Sequence, residues 1–126
     1  FAPFDVDVTT EDPGVPGLQR LSAGDPAFGV RVVISPTDEW FPGAGGVAFL
    51  GSFDNITAGP DVPCFAFSEN VGNPLSGLTL VTSHEVGHTV GLRHDGTSTE
   101  EYYDGGDTGD WGPIMGAPYT KNIVHW

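Results

Sequence analysis

The residues best suited to chemistry lie in one stretch, His84-Glu85-Val86-Gly87-His88-Thr89-Val90-Gly91-Leu92-Arg93-His94-Asp95. On a helix, residues four apart sit one turn above the other on the same face, so His84 and His88 can offer two imidazoles to one ion at ordinary zinc–nitrogen distance. Glu85 is displaced about 100° around such a helix from His84, which sets it beside the ion, where a base for an attacking water belongs. Gly91 can take positive φ and turn the chain sharply, bringing His94 back as a third ligand. Three neutral imidazoles leave a tetrahedral zinc one open position, the mark of a catalytic site and not of a closed structural one. Each histidine taken singly reads as an ordinary surface or core residue. Five fixed positions together arise by chance on the order of once per several million windows.

This HExxHxxGxxH pattern resembles the signature of the metzincins, a clan of zinc endopeptidases that includes astacins, serralysins, matrixins and the adamalysin/reprolysin group. Asp95, directly after the third histidine, is most similar to the adamalysin/reprolysin pattern, in a secreted member of bacterial type. Pro113-Ile114-Met115-Gly116 resembles the clan's Met-turn, 21 residues after His94 (115 − 94). The resemblance implies zinc on His84, His88 and His94, Glu85 as general base, and Met115 beneath the metal. Gly91 and Asp95 take supporting structural roles. It also implies a mixed α/β (α+β) fold: a twisted, mostly parallel sheet with one antiparallel edge strand, a central zinc-binding helix and a loop-rich C-terminal part. Gly46 to Gly51 stands where that edge strand should be. Gly46, Val47, Ala48 and Phe49 are then candidates for pairing with an extended peptide substrate, a plain edge strand without ligand being the alternative.

The chain also departs from the clan's pattern. Nothing before Phe1 supplies the opening strand and helix, and eleven residues follow Met115. The closing helix is therefore expected to be absent or just starting at 120–126. The pocket that selects substrate side chains, which this segment would build, is expected to be largely missing. Astacin- and serralysin-like enzymes carry a tyrosine two positions after the methionine. Here that position is Ala117, and Tyr119 lies two further on. Whether Tyr119, Tyr102 or Tyr103 assists the chemistry stays open against a surface or packing role.

The elements that must position these groups are short. Phe4 to Thr9 alternates apolar and polar residues with the period of a half-buried strand. Val30 to Ile34 is β-branched and nearly continuous in apolarity, as a central strand is. Gly46 to Gly51 reads as an edge strand and Cys64 to Ser68 as a fourth strand. The one long helix is expected to begin between Pro74 and Gly77 and to run to Val90. Its apolar stripe is Leu78, Val81, Val86 and Val90, and Gly91 ends it with a left-handed cap. From Asp95 to Gly112 the chain is polar and glycine-rich, a long loop of the kind that is functional or mobile. The whole reads as one catalytic domain over 1–126, trimmed at both ends, with an upper part at 1–91 and a lower part at 92–126.

Composition narrows the partners. Seventeen Asp and Glu against four Lys and Arg give a net charge of −13, so no basic face for nucleic acid can be built. No apolar stretch is long enough to cross a bilayer, and the acidity suits a secreted or extracellular setting. Cys64 is the only cysteine, which excludes an intrachain disulfide, and its apolar neighbours mark it as core. Asp104, Asp107 and Asp110 recur at three-residue intervals in the polar loop. They read first as a solvated turn and second as a Ca2+ loop. Asn55-Ile56-Thr57 is a glycosylation sequon to which nothing is assigned, and His125 stands without a partner motif. Trp40, Phe41, Trp111 and Trp126 read as core or loop-pinning aromatics, with a cleft lining as the alternative.

Three functions follow from different premises. The first is hydrolysis of peptide bonds by a zinc-activated water, with Glu85 as base and a polypeptide as substrate. The second is a non-catalytic zinc-bearing module of a larger extracellular protein, for which Glu85 would be superfluous. The third is a zinc hydrolase acting on other amides.

Overall fold

Cys64 to Phe67 decide the architecture. Cys-Phe-Ala-Phe is a continuous apolar run in which Cys64, Ala66 and Phe67 are wholly buried, as a strand covered on both faces requires. The computed structural model describes residues 1, 4–57, 59, 61–72, 75–107 and 109–126, and shows a small mixed α+β protein. After a one-turn helix α1 (Gly14–Leu18) come β1 (Val32–Ser35), β2 (Gly46–Val47) and β3 (Cys64–Phe67). β3 takes the middle of a sheet ordered β1-β3-β2. β1 pairs with it in parallel, Val32 opposite Cys64, and β2 pairs antiparallel, Gly46 opposite Ala66.

Helix α2 (Ser76–Thr89) packs across this sheet. Val81 joins Ala66 and Val71 in one core cluster, with Leu78 against it. Leu80, from the neighbouring face, joins Ile114 and Met115 in a second, with Trp126 against it. The helix is thus clamped between the sheet and the C-terminal segment. That explains why His84, Glu85 and Thr89 are buried polar residues on it.

The C-terminal segment adds a second, two-stranded sheet. β4 (Trp111–Pro113) and β5 (Ile123–His125) run parallel, Trp111 opposite Ile123. Between them Pro113 to Gly116 make a tight turn closed by Gly116 N–H to the Pro113 carbonyl at 3.0 Å.

Several sequence expectations are corrected. Phe4 to Thr9 is no strand: Val8 is 71% exposed, and Phe1 and Phe4 instead set their rings 5.5 and 6.2 Å from that of Trp126. Alternation makes a strand only where a neighbour offers hydrogen bonds. The segment from Val30 to Ile34 is an edge, with β3 in the centre. The edge strand expected over 46–51 is paired only at Gly46 and Val47. The sheet has one parallel and one antiparallel pairing, so it is not mostly parallel. The closing helix, expected to be absent or just starting at 120–126, does not start there: residues 123–125 are extended, as β-branched Ile123 and Val124 favour. Helix α2, by contrast, spans Ser76–Thr89 with Val90 as its C-cap, in agreement with the expected end at about Val90, and Pro74 lies outside the described residues. Among the described residues, no helix is long and apolar enough to cross a membrane.

The contact between α2 and the C-terminal turn is tight at Gly87. A Cβ there would collide with Met115 Sδ and stand 2.9 Å from the Trp126 ring. Gly87→Ala is therefore expected to destabilise the fold by about 1–3 kcal/mol, the usual range for overpacking. Urea unfolding reads this directly, and a midpoint equal to the wild type's would show that Met115 is free to move aside.

Candidate metal centre

The end of α2 builds the site. Gly91 has φ +93°, and two reverse hydrogen bonds close the helix: Gly91 N–H to the His88 carbonyl at 2.9 Å and Leu92 N–H to the Gly87 carbonyl at 3.0 Å. This pair of bonds is the Schellman stop, which needs a residue at ease in the left-handed region. The reversal turns His94 back toward His84 and His88. Ring centroids of His84, His88 and His94 lie 4.7 to 5.3 Å apart, and one nitrogen of each comes within 4.8 Å of the others. Among the described residues this is the one group of histidines, cysteines or carboxylates so gathered.

The outer nitrogens fix the chemistry of the inner ones. His84 Nδ1 lies 2.8 Å from the Ile114 carbonyl oxygen, and His88 Nδ1 lies 2.9 Å from that of Leu92. His94 Nδ1 lies 3.0 Å from Glu101 Oε1. Carbonyls and carboxylates only accept, so each Nδ1 carries a proton and the other ring nitrogen is left to face the shared space. His88 Nε2 and His94 Nε2 face each other at 3.0 Å. That gap is bridged either by a proton on one ring or by an ion shared between the two. An ion at 2.0–2.1 Å from both in tetrahedral geometry holds them about 3.4 Å apart. The donor set therefore fits zinc.

Burial favours the neutral form of the two rings carried by α2. It pushes His84 down to about 4, helped by the neighbouring rings of His88 and His94 and opposed by the Ile114 carbonyl. It lowers His88 as well. Glu85, 5% exposed, is raised by burial to about 7. Its carboxyl has no hydrogen-bond partner among the described residues and lies against Gly46, where a Cβ would stand 2.7 Å from Oε1. The edge strand and the base thus share one wall of a cleft.

That cleft, about 480 Å3, is lined by the three histidines and Glu85, by Gly46, Val47 and Ala48, and by Tyr102 and Tyr119 on its flanks. Phe49, expected to contribute, is 71% exposed and outside the lining. Tyr102 stacks on the His94 ring at 4.2 Å between centroids. Tyr119 is held un-ionised by burial and by the nearby Glu85. Phe41 joins the lining, whereas Trp40 packs on Phe65 and Phe67. A second cavity of about 620 Å3 lies between α2 and residues 118–124.

The turn around Met115 acts through its backbone. The Ile114 carbonyl orients His84, and the Met115 carbonyl accepts Asp95 N–H at 2.9 Å. Asp95 likewise contributes its main chain, its carbonyl taking Tyr103 N–H. Cys64 is buried and its thiol pushed up to about 12 by burial and by the charge of Glu85, so it is inert.

The acidic loop is arranged differently from a calcium site. Asp104 Oδ1 accepts its own Gly106 N–H at 2.7 Å, and the Asp110 carboxylate is taken by Asn122. The Lys121 ammonium donates to the carbonyls of Gly106 and Gly109. Asp104, Asp107 and Asp110 are not brought together, and a lysine stands where a cation would be needed. Neither Glu101 nor Lys121 stood out in the sequence, since no local spacing marks a residue that acts on a partner from another loop.

In chelator-treated protein the opposing shifts of Glu85 and His84 have separable signs. Glu85, raised from 4.5 to about 7, contributes stability below pH 4.5 that is lost as pH rises through 7. His84, lowered from 6.5 to about 4, contributes stability above pH 6.5 that is lost as pH falls through 4. Glu85→Gln removes the first term alone. Its stability relative to wild type is expected to climb between pH 4.5 and 7 and stay level above. Urea melts across that range check it, and parallel curves would mean an ordinary carboxyl.

Comparison of the chain with protein-family models, with curated proteins and with solved structures found no match to any of them.

Proposed function

We propose that this protein is a zinc-dependent endopeptidase of metzincin type, acting outside the cell on polypeptide substrates. The observation that carries the reading is the convergence of three imidazoles beside the carboxyl of Glu85, a residue 5% exposed that lines the same cleft. A zinc ion held by His84, His88 and His94 supplies Lewis acidity there, polarising a carbonyl and acidifying water. Glu85 takes the proton from the attacking water and delivers it to the leaving amine, and burial suits its proton affinity to a group that does both near neutral pH. β2 is an edge of its sheet, so its outer main-chain groups are available to an extended peptide lying in the cleft. Calcium has no part in this reading, because the Lys121 ammonium already supplies positive charge to the acidic loop.

The test pairs metal content by mass spectrometry with cleavage of an unstructured protein, with and without chelator. One zinc per chain and chelator-sensitive cleavage are expected. Glu85→Gln should keep the zinc and lower turnover by about 10²- to 10⁴-fold, the usual share of general acid–base catalysis. Zinc without cleavage would turn the reading to a non-catalytic zinc module. Cleavage only of amides other than peptide bonds would turn it to a different hydrolase, and no zinc in folded protein supplied with it would end the metal assignment.

A further inference from the structure

The three histidines are not held alike. His84 and His88 give their Nδ1 protons to backbone carbonyls, whereas His94 gives its proton to a side-chain carboxylate, Glu101, at 3.0 Å. His94 is also the ligand that α2 does not carry, so its ring lacks the support of a helix.

The loop from Asp95 to Tyr103 is shaped to deliver that contact. Its ends are joined by Tyr103 N–H to the Asp95 carbonyl at 2.6 Å. Within it Thr97 N–H bonds the Glu100 carbonyl at 2.8 Å, and Thr97 Oγ1 accepts the N–H groups of Thr99 and Glu100. At Gly96 the backbone passes so close to the far side of the loop that a Cβ would stand 2.5 Å from the carbonyl oxygens of Glu100 and Glu101. The same turn that sends Glu101 to Nδ1 lays the next residue, Tyr102, on the His94 ring. An edge and a face of the ring are thus fixed by two consecutive side chains.

We propose that Glu101 is the positioning residue of the metal centre: its carboxylate sets the tautomer and orientation of His94 and strengthens that ring as a ligand. The inference rests on the metal reading above. Glu101 is 70% exposed, and an exposed pair of this kind adds little to folding stability. Its effect belongs instead to the metal, because a carboxylate behind a ligating imidazole raises the basicity of the nitrogen that faces the ion, and loss of such partners typically costs 10- to 100-fold in affinity. Glu101 lies outside the cleft lining, which separates this role from substrate binding.

The experiment titrates zinc against a chromophoric chelator for wild type, Glu101→Ala, Glu101→Gln and Glu100→Gln. Glu101→Ala is expected to weaken zinc binding by about tenfold or more. Glu101→Gln, whose amide oxygen still accepts from Nδ1, should fall between it and wild type. Glu100→Gln removes the same charge from the same loop without touching His94 and should bind as wild type does. The visible spectrum of the cobalt-substituted protein should shift in Glu101→Ala, while the unfolding midpoint of the metal-free protein stays put. Equal zinc affinity in Glu101→Ala and wild type would overturn the inference while leaving the metal site standing. An equal loss in Glu100→Gln would also overturn it, reducing the effect to loop charge. A wild type that binds no zinc would overturn the metal reading and this inference with it.

Discussion

Three imidazoles that each hand an outer proton to a carbonyl or carboxylate turn their other nitrogens toward one shared space, and that convergence sets what the surrounding chain must supply. The outer protons go to Ile114, Leu92 and Glu101, which come from three separate stretches of chain. Much of the molecule can be traced back to supplying those acceptors. The Schellman stop at Gly91 places the Leu92 carbonyl under His88, the Pro113-to-Gly116 turn places the Ile114 carbonyl under His84, and the loop after Asp95 places Glu101 under His94. The fold's two core clusters, one on each side of α2, hold these stretches at fixed distance from the helix.

Burial has a second consequence in the same place. Taking Glu85 out of water raises its proton affinity, while taking His84 out of water lowers its own. One desolvated pocket therefore gives a carboxyl willing to accept a proton next to imidazoles unwilling to, which is the division of labour that the proposed hydrolysis would require. A small protein of net charge −13 would not otherwise gather an ionisable carboxyl and three rings in its interior without cost. The proposed zinc removes the conflict, since it compensates both the converging lone pairs and the acid beside them.

The ligand constellation was legible because its geometry is local. Spacings of four residues on a helix and a glycine stop are sequence facts with direct spatial meaning, and His84, Glu85, His88 and His94 come together as those spacings require. Cys64 as core and α2 as the one long helix were legible for the same reason. What failed depended on partners. Phe4 to Thr9 has the rhythm of a strand but no neighbour. Residues 123–125, where a closing helix was expected to be absent or just starting, found β4 to pair with. Asp104, Asp107 and Asp110 suggested calcium because the sequence could not show Lys121, eleven residues after Asp110 (121 − 110), folding its ammonium onto the carbonyls of their loop. Glu101 was invisible on the same ground.

The hydrogen bond from His84 to Ile114 spans thirty positions of chain. The first two histidines share a helix and can meet an ion as soon as that helix exists. The third needs the turn at Gly91 and the loop that carries Glu101. The orientation of His84, by contrast, waits for residues 111–126 to dock against α2, a long-range closure that is slow relative to helix formation. A chain with α2 formed but its tail undocked holds its first two histidines near one another without the Ile114 carbonyl that orients His84.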